Sequence, residues 1–164
     1  EPETARMLSV LIQALAPARV LELGTSNGYS TVWLAEAVSA HGGRVTSVEI
    51  LPERSAQASA NLERAGLERH VELRVEDAAA TLAGSADGEW DVIFLDSERP
   101  AYAGYWPDLV RTLAPRGLLI VDNVLSHPDE VAQLRATIAA DTRFRDALVP
   151  IGAGVVLAVR RAET

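Results

Sequence analysis

Three polar side chains stand directly after two apolar runs of the sequence. The stretch FLDSER ends its apolar part on Asp96, and IVDNVL ends its apolar part on Asp122 and Asn123. If the two runs are neighbouring strands of a parallel sheet, these three side chains meet at one point. Two carboxylates and an amide carbonyl are hard oxygen ligands, which suit Mg²⁺, Mn²⁺ or Ca²⁺ better than zinc. The pattern predicts a metal site, and the alternative is a pair of strand-end acids bridged by Arg99 or capped by backbone N–H groups.

A glycine-containing loop, LELGTSNGYST over residues 21–31, carries a second type of chemistry. Gly24 and Gly28 lie between a predicted strand and a predicted helix, where a backbone without Cβ can approach a ligand closely. The start of the following helix offers N–H groups to a carboxylate or phosphate. The spacing lacks the G-x-G-x-x-G pattern of dinucleotide sites, which disfavours NAD.

Glu49 ends the next predicted strand, about 25 residues after Gly24, where an acid can accept hydrogen bonds from both ribose hydroxyls. The glycine loop and this acid together predict an adenosine-containing ligand. Asp77 ends the third strand, where it could meet the adenine amine or could cap the helix that begins at AAATL.

Acids follow five of the predicted strands: Glu22, Glu49, Glu76 with Asp77, Asp96, and Asp122. Ligands of open α/β sheets bind outside the carboxyl ends of the strands, so these acids are expected to ring one crevice. The alternative is that they cap helices. An acidic crevice suits a cation, a metal or sugar hydroxyls.

The elements that position these residues alternate along the chain. Short β-rich runs, predicted as strands, occupy residues 19–23, 44–49, 71–75, 91–96, 117–122 and 154–159. Helical patterns fill the intervals at about 28–40, 53–65, 101–113 and 128–140. This alternation is typical of βαβ units around a mainly parallel sheet, so the fold class is α/β.

Composition limits the classes of protein to which the chain can belong. With 164 residues, 48% of them hydrophobic, and no linker-like segment, residues 1–164 are predicted to form a single domain. A net charge of -8 and a pI near 4.9 argue against nucleic acid or a membrane surface as partner. The absence of cysteine favours the cytoplasm. The chain opens on an amphipathic helix at Glu1, consistent with residues missing in front of it.

These motifs together resemble the cation-dependent O-methyltransferases that use S-adenosylmethionine, the family of catechol and caffeoyl-CoA O-methyltransferases. VLELGTSNGYST is similar to the family's cofactor loop, and FLDSERPAYAGYW with GLLIVDNVL is similar to its two metal-binding segments. The resemblance implies a Rossmann-like class I methyltransferase fold with a seven-stranded, mainly parallel sheet whose last strand is antiparallel. The cofactor-binding residues it implies are Glu22, Gly24, Thr25, Ser26, Gly28, Ser30, Glu49, Asp77, Ala78 and Asp96.

By the same resemblance, the chain is expected to be an enzyme that moves a methyl group from S-adenosylmethionine to a metal-bound hydroxyl of a small, catechol-like acceptor. A divalent cation would lower the pKa of that hydroxyl and orient it. Two alternatives stay open: a methyltransferase-like module that binds the cofactor without efficient turnover, and a nicotinamide-dependent oxidoreductase.

The sequence departs from the family at three places. Arg99 stands where many members have a lysine that can act as a general base, and arginine cannot accept that proton. Arg99 could instead stabilise an oxyanion, or form a salt bridge to Glu98 or another acid. His127 is a substitute base or an exposed residue beside a helix start. The segments that shape the acceptor pocket are short, so that side is expected to be open or completed by a second subunit of a homodimer.

Three aromatic residues follow Asp96 at helical spacing: Tyr102, Tyr105 and Trp106. A shared face of this kind is typical of core packing, and the alternative is a wall for a planar acceptor. Asp96, Arg99 and His127 are the predicted catalytic residues.

Overall fold

Seven strands and six α-helices alternate along residues 1–162, the part of the chain that the computed structural model describes. The strands are β1 Arg19–Leu23, β2 Arg44–Glu49, β3 Val71–Val75, β4 Trp90–Leu95, β5 Leu113–Val121, β6 Phe144–Val149 and β7 Val155–Arg160. The α-helices are α1 Pro2–Leu15, α2 Tyr29–Ser39, α3 Pro52–Ala65, α4 Ala78–Gly84, α5 Trp106–Thr112 and α6 Pro128–Ala140, and 3-10 helices span Glu68–His70 and Arg99–Tyr105.

The strands form one mixed sheet in the order β3-β2-β1-β4-β5-β7-β6. Strands β1 to β5 pair in parallel, and β7 runs antiparallel to both β5 and β6. The expected seven-stranded, mainly parallel sheet with an antiparallel last strand is therefore confirmed. Because the chain order reverses between β1 and β4, the crevice outside their carboxyl ends is the usual ligand position of such a sheet.

Both faces of the sheet are covered by helices, which explains why the central strands read as continuous apolar runs. On one face, Leu8 and Ile12 of α1 and Leu34 of α2 pack against residues such as Val20 and Phe94. On the other face, helices α4 to α6 pack against the alternate strand residues. Because successive strand residues point to opposite faces, the apolar strand residues divide between these two cores.

Backbone hydrogen bonds between neighbouring strands continue past the carboxyl ends of the strands, where the predicted ligand-binding residues lie. Gly24 N donates to Val48 O at 2.9 Å, Asp96 N to Leu23 O at 2.9 Å, and Asp122 N to Leu95 O at 3.2 Å. These bonds place the residues after β1, β4 and β5 side by side. Strands β4 and β5 pair in parallel, so Asp96 and Asp122 follow neighbouring strand ends. The sequence predicts this arrangement.

The structure corrects three details of the predicted elements. Strand β6 has no counterpart in the prediction, because only Phe144 of this edge strand is buried and Arg145 and Asp146 interrupt its apolar pattern. Helix α4, for which the sequence indicates only a start at AAATL after Asp77, spans Ala78–Gly84. The helix predicted over 101–113 is a 3-10 helix followed by the seven-residue α5, and β5 already begins at Leu113.

Within residues 1–162, no helix combines the length and the apolar composition that a membrane span requires.

Candidate active site

The glycine loop between β1 and α2 is shaped by its neighbours in the fold. Gly24 has φ +105°, and a Cβ there would lie 2.0 Å from the backbone oxygen of Asp96. Gly28 has φ +88°, and its Cβ would lie 2.8 Å from that of Ala58 in α3. The two glycines therefore permit close packing of the loop against β4 and α3, which adds a reason to the close ligand approach predicted from sequence.

A cavity of about 450 Å³ opens beside this loop, at the carboxyl ends of the strands. It gathers six of the predicted cofactor-binding residues: Gly24, Ser26, Glu49, Asp77, Ala78 and Asp96. Arg54, Glu76, Arg99 and Glu130 also line it. Four predicted acids, Glu49, Glu76, Asp77 and Asp96, thus share one crevice.

Glu49 is 93% buried, and its carboxylate is held by two backbone groups. Ser26 N donates to Oε2 at 2.9 Å, and Leu51 N donates to Oε1 at 3.2 Å. Each oxygen keeps a further lone pair for a ligand hydroxyl. The side chain is therefore fixed before a ligand arrives.

Asp77 caps the start of α4, because its Oδ2 accepts a hydrogen bond from Ala80 N at 3.2 Å. The capping interpretation is confirmed. The residue also lines the larger cavity, so contact with a ligand stays a prediction.

A second cavity, of about 130 Å³, lies on the other side of Ser26 and Asp96. Its walls include Thr25 and Ser30 of the predicted cofactor set together with Asp122. Thr4 of α1 also lines it, is 3% exposed, and has a hydroxyl without a hydrogen-bond partner among the described residues. Sequence analysis misses Thr4 because only packing brings α1 to this edge.

Glu22 does not reach either cavity, which corrects the expectation that it belongs to the ring of acids. The residue is fully buried inside β1. Its carboxylate accepts hydrogen bonds from the hydroxyls of Ser30 at 2.5 Å and Ser47 at 2.6 Å, and from that of Thr31. Burial raises the pKa of Glu22 to about 7, against the opposing effect of these hydroxyls. Any part that it has in cofactor binding is therefore indirect.

The predicted metal ligands come together at the ends of β4 and β5. Asn123 Nδ2 donates to Asp96 Oδ1 at 2.9 Å, and Asn123 N donates to Asp122 Oδ1 at 2.8 Å. Burial, and then the negative charge of Asp122, raise the pKa of Asp96 to about 6. Burial also raises the pKa of Asp122. Two desolvated carboxylates this close repel each other, and a bound cation would relieve the repulsion.

The composition of this donor set decides which ion would fit it. No group of three or more His, Cys, Asp and Glu side chains within residues 1–162 could hold a metal. Asp96, Asp122 and Asn123 offer two carboxylates and one amide. Asp96 lines both cavities, so these residues lie beside each of them. Such oxygen ligands fit a hard divalent cation whose remaining positions are filled by water or a ligand oxygen.

Arg99 forms an ion pair with Glu130 of α6, since its Nε lies 2.6 Å from Oε2 of that residue. Of the two alternatives for Arg99, a salt bridge is thus present, with Glu130 rather than Glu98. Burial raises the pKa values of Asp96 and Asp122, and the positive charge of Arg99 opposes this rise. The guanidinium stays close enough to the predicted metal site to act there as a cation.

His127 is exposed and lies outside the walls of both cavities. Its Nδ1 lies 2.9 Å from Ser126 Oγ. The structure thus gives no support to its predicted role as a substitute base.

The aromatic residues after Asp96 belong mainly to the core. Tyr102 is fully buried, and its hydroxyl accepts a hydrogen bond of 2.7 Å from Ser97 N. Trp106 is 9% exposed and packs against Phe144, with a distance of 5.0 Å between ring centroids. Tyr105 is partly buried against the same cluster. Core packing, rather than an acceptor wall, accounts for Tyr102 and Trp106.

Comparison with known proteins agrees with this geometry. The family described as O-methyltransferase matches residues 1–161. A catechol O-methyltransferase of Niastella koreensis is 35% identical over 127 residues, which cover 76% of this chain and 57% of that protein. A catechol O-methyltransferase of Mycobacterium tuberculosis is 38% identical over 124 residues, which cover 75% of this chain and 56% of that protein. The chain thus matches little more than half the length of these relatives.

Among solved structures, an O-methyltransferase from Bacillus cereus in complex with SAH superimposes with a TM-score of 0.87 and 28% identity. The match covers 96% of this chain and 80% of that one.

Proposed function

The chain belongs to the O-methyltransferase family, and on that premise we propose that it transfers a methyl group from S-adenosylmethionine to a hydroxyl of a small, catechol-like aromatic acceptor. The acceptor class is suggested by the similarity to two catechol O-methyltransferases. The observation that carries the proposal is the larger cavity, in which six residues predicted to bind the cofactor lie together.

The larger cavity has the chemistry that an adenosine requires. Glu49 is held by Ser26 N and Leu51 N and keeps lone pairs for the two ribose hydroxyls. Asp77 and Ala78 also line this cavity, and we expect them to contact the base. Asp96 stands at the junction with the smaller cavity, so the reacting methyl group would lie near this residue.

Asp96, Asp122 and Asn123 would hold a divalent cation, with Mg²⁺ as the first candidate and Mn²⁺ or Ca²⁺ as alternatives. When bound, such an ion lowers the pKa of an acceptor hydroxyl and orients it. Asn123 would contribute its amide oxygen to this set, and its Nδ2 donates to Asp96 Oδ1. The backbone bond from Asn123 N keeps the Asp122 carboxylate in position.

Arg99 takes no proton in this proposal, because a guanidinium stays protonated in proteins. Its charge opposes the rise that burial causes in the pKa values of Asp96 and Asp122 and so favours their ionised forms. The same charge favours an acceptor oxygen in its anionic form. Glu130 holds the guanidinium at this side of the crevice.

One observation favours a second candidate, a module that binds the cofactor without efficient turnover. The Arg99 side chain is engaged by Glu130, and Arg99 itself cannot act as the general base that a lysine provides at this position in many members of the family. A homodimer that completes the acceptor side is likewise proposed and would be visible in the solution mass.

Calorimetric titration with S-adenosylhomocysteine, followed by a methyl-transfer assay on catechol-type acceptors with and without EDTA, tests the proposal. Glu49→Ala should abolish or strongly weaken binding. The matched control is Glu53→Ala, which removes an exposed acid in the first turn of α3. Binding with EDTA-sensitive transfer supports the enzyme, binding without transfer supports the second candidate, and no binding by the wild type contradicts both.

A further inference from the structure

Glu22 is a buried acid whose partners are all hydroxyl groups. Ser30 and Thr31 of α2 and Ser47 of β2 donate to its two carboxylate oxygens. Within residues 1–162 it forms no salt bridge. A buried carboxylate without a cation is costly to keep ionised.

The surroundings of Glu22 bring its protonation equilibrium close to neutral pH. Burial, with a smaller contribution from the charge of Asp96 at the end of the neighbouring β4, raises the pKa of Glu22 to about 7 against the lowering effect of its hydroxyl partners. The elements packed on the other sides, α2 and β2, present the neutral hydroxyls of Ser30, Thr31 and Ser47 to it. A small change in the surroundings can therefore change its proton occupancy.

The hydroxyl network joins Glu22 to the smaller cavity. Ser30 lines this cavity and donates directly to Glu22 Oε2. Thr25 also lines it and bonds to Ser47 at 2.6 Å, and Ser47 in turn donates to Glu22. The proton on Glu22 can thus decide which hydroxyls are available to the cavity.

The smaller cavity has the features of a site for a zwitterionic amino-acid group. It lies at the start of the eleven-residue helix α2, where free N–H groups favour a carboxylate. Thr4 adds a buried hydroxyl that has no partner among the described residues. Asp96 and Asp122 on the opposite wall suit an ammonium group.

We propose that Glu22 is a positioning residue that takes up a proton from solvent when the amino-acid end of the cofactor binds in the smaller cavity. With Oε2 protonated, Glu22 donates to Ser30 Oγ instead of accepting from it. The Ser30 hydrogen is then free to bond to the carboxylate of the cofactor, and no heavy atom has to move. The inference rests on the proposed function, since it takes S-adenosylmethionine as the ligand.

The direction of the pH effect follows from this exchange. The bound carboxylate takes over the bond from Ser30 on the α2 side of the cavity, whereas the ammonium group would lie on the opposite wall beside Asp96 and Asp122. The loss of the Ser30 bond and the charge of the nearer carboxylate both raise the pKa of Glu22. Binding therefore takes up protons, and the affinity for the cofactor falls as the pH rises above the free-state pKa of about 7.

The test is calorimetric titration of S-adenosylhomocysteine, without added metal, at a pH of about 7.5 in phosphate and in Tris. The observed heats should differ between the two buffers by the uptake of up to about one proton for each ligand bound. In Glu22→Gln, a neutral mimic of the protonated acid, this uptake should disappear. Any proton exchange by the ligand itself or by Asp96 remains in the variant and serves as the internal control.

The pH profile provides a second measurement. The wild-type dissociation constant should rise by up to about tenfold per pH unit above pH 7 until Glu22 is ionised in the complex as well, whereas that of Glu22→Gln should be flat. Equal proton uptake by both proteins overturns the inference while leaving the proposed function intact. If Glu22→Gln does not fold, a wild-type affinity that is independent of pH overturns it. If the wild type shows no binding in any buffer, the proposed function itself fails.

Discussion

Asn123 Nδ2 donates a hydrogen bond of 2.9 Å to Asp96 Oδ1 and thereby joins the residues that follow β4 and β5. Asn123 also adopts the left-handed conformation, with φ +62°, which asparagine tolerates better than most residues. A single residue thus combines a required backbone conformation with a polar group at the predicted metal site.

Two substitutions of Asn123 can separate the effect of losing its amide group from the effect of straining its backbone. Asn123→Gly keeps the backbone conformation and removes the amide, so the protein should stay folded while its Mn²⁺ affinity falls by roughly tenfold, as after loss of one ligand. Asn123→Ala removes the same amide and also adds strain of about 1 kcal/mol. Mn²⁺ titration and thermal unfolding distinguish them. Unchanged Mn²⁺ affinity in both variants would contradict the assignment of Asn123 as a ligand.

Thr4→Val should weaken S-adenosylhomocysteine binding without destabilising the protein. The Thr4 hydroxyl is buried and has no partner within residues 1–162, so the free protein loses no hydrogen bond. The complex would lose one, worth about 1 kcal/mol or roughly fivefold in affinity. Calorimetry and thermal unfolding measure the two effects. Thr4→Ser keeps the hydroxyl and is the control, and equal affinity of both variants would show that the hydroxyl does not contact the ligand.

Gly24→Ala should destabilise the protein by about 2 kcal/mol or more, because it combines a clash with an unfavourable backbone conformation. The added Cβ would lie 2.0 Å from Asp96 O at φ +105°. Gly84→Ala, at the end of α4, is the matched control, since its Cβ would meet nothing within 4 Å. Urea unfolding gives both free energies. Equal stabilities would mean that the loop can move away from β4 at little cost.

Arg99→Gln should reduce methyl transfer by roughly tenfold, because its charge no longer favours the anionic forms of Asp96, Asp122 and the acceptor oxygen. The affinity for S-adenosylhomocysteine should change less than kcat. Arg6→Gln, at an exposed position of α1, is the control for a general change in charge. An unaltered kcat in Arg99→Gln would assign the residue to its ion pair with Glu130 alone.

The ionised Asp141 carboxylate should stabilise the protein near neutral pH, and this stabilisation should be lost in acid. Its hydrogen bond from Arg143 lowers its pKa from 3.8 to about 2. A lowered pKa stabilises the fold fully above the unfolded-state value of about 4, and this stabilisation is lost as the pH falls towards 2. The difference in Tm between the wild type and Asp141→Asn should therefore narrow as the pH decreases from about 6 to about 3. Asp146→Asn, on the exposed part of β6, should show no such narrowing.

The residue pattern alone predicts six of the seven strands and the edge of the sheet at which ligands would bind. Runs such as DVIFLD and GLLIVD read as buried parallel strands, and parallel strands bring their carboxyl ends to the same edge whatever the details of packing. The proximity of Asp96, Asp122 and Asn123 follows from that rule. The edge strand β6 escapes prediction because a strand with little buried surface carries little apolar pattern.

Tertiary structure decides which side chains of these elements face the ligand. Both faces of β1 are covered, so alternation alone cannot tell that Glu22 lies beneath the glycine loop while Glu49 opens into the crevice. Thr4 and Glu130 join the site from helices far apart in sequence, and His127 is left outside it. Strand order is a property of local pattern and connection length, whereas these contacts depend on how helices pack on the sheet, which no local pattern specifies.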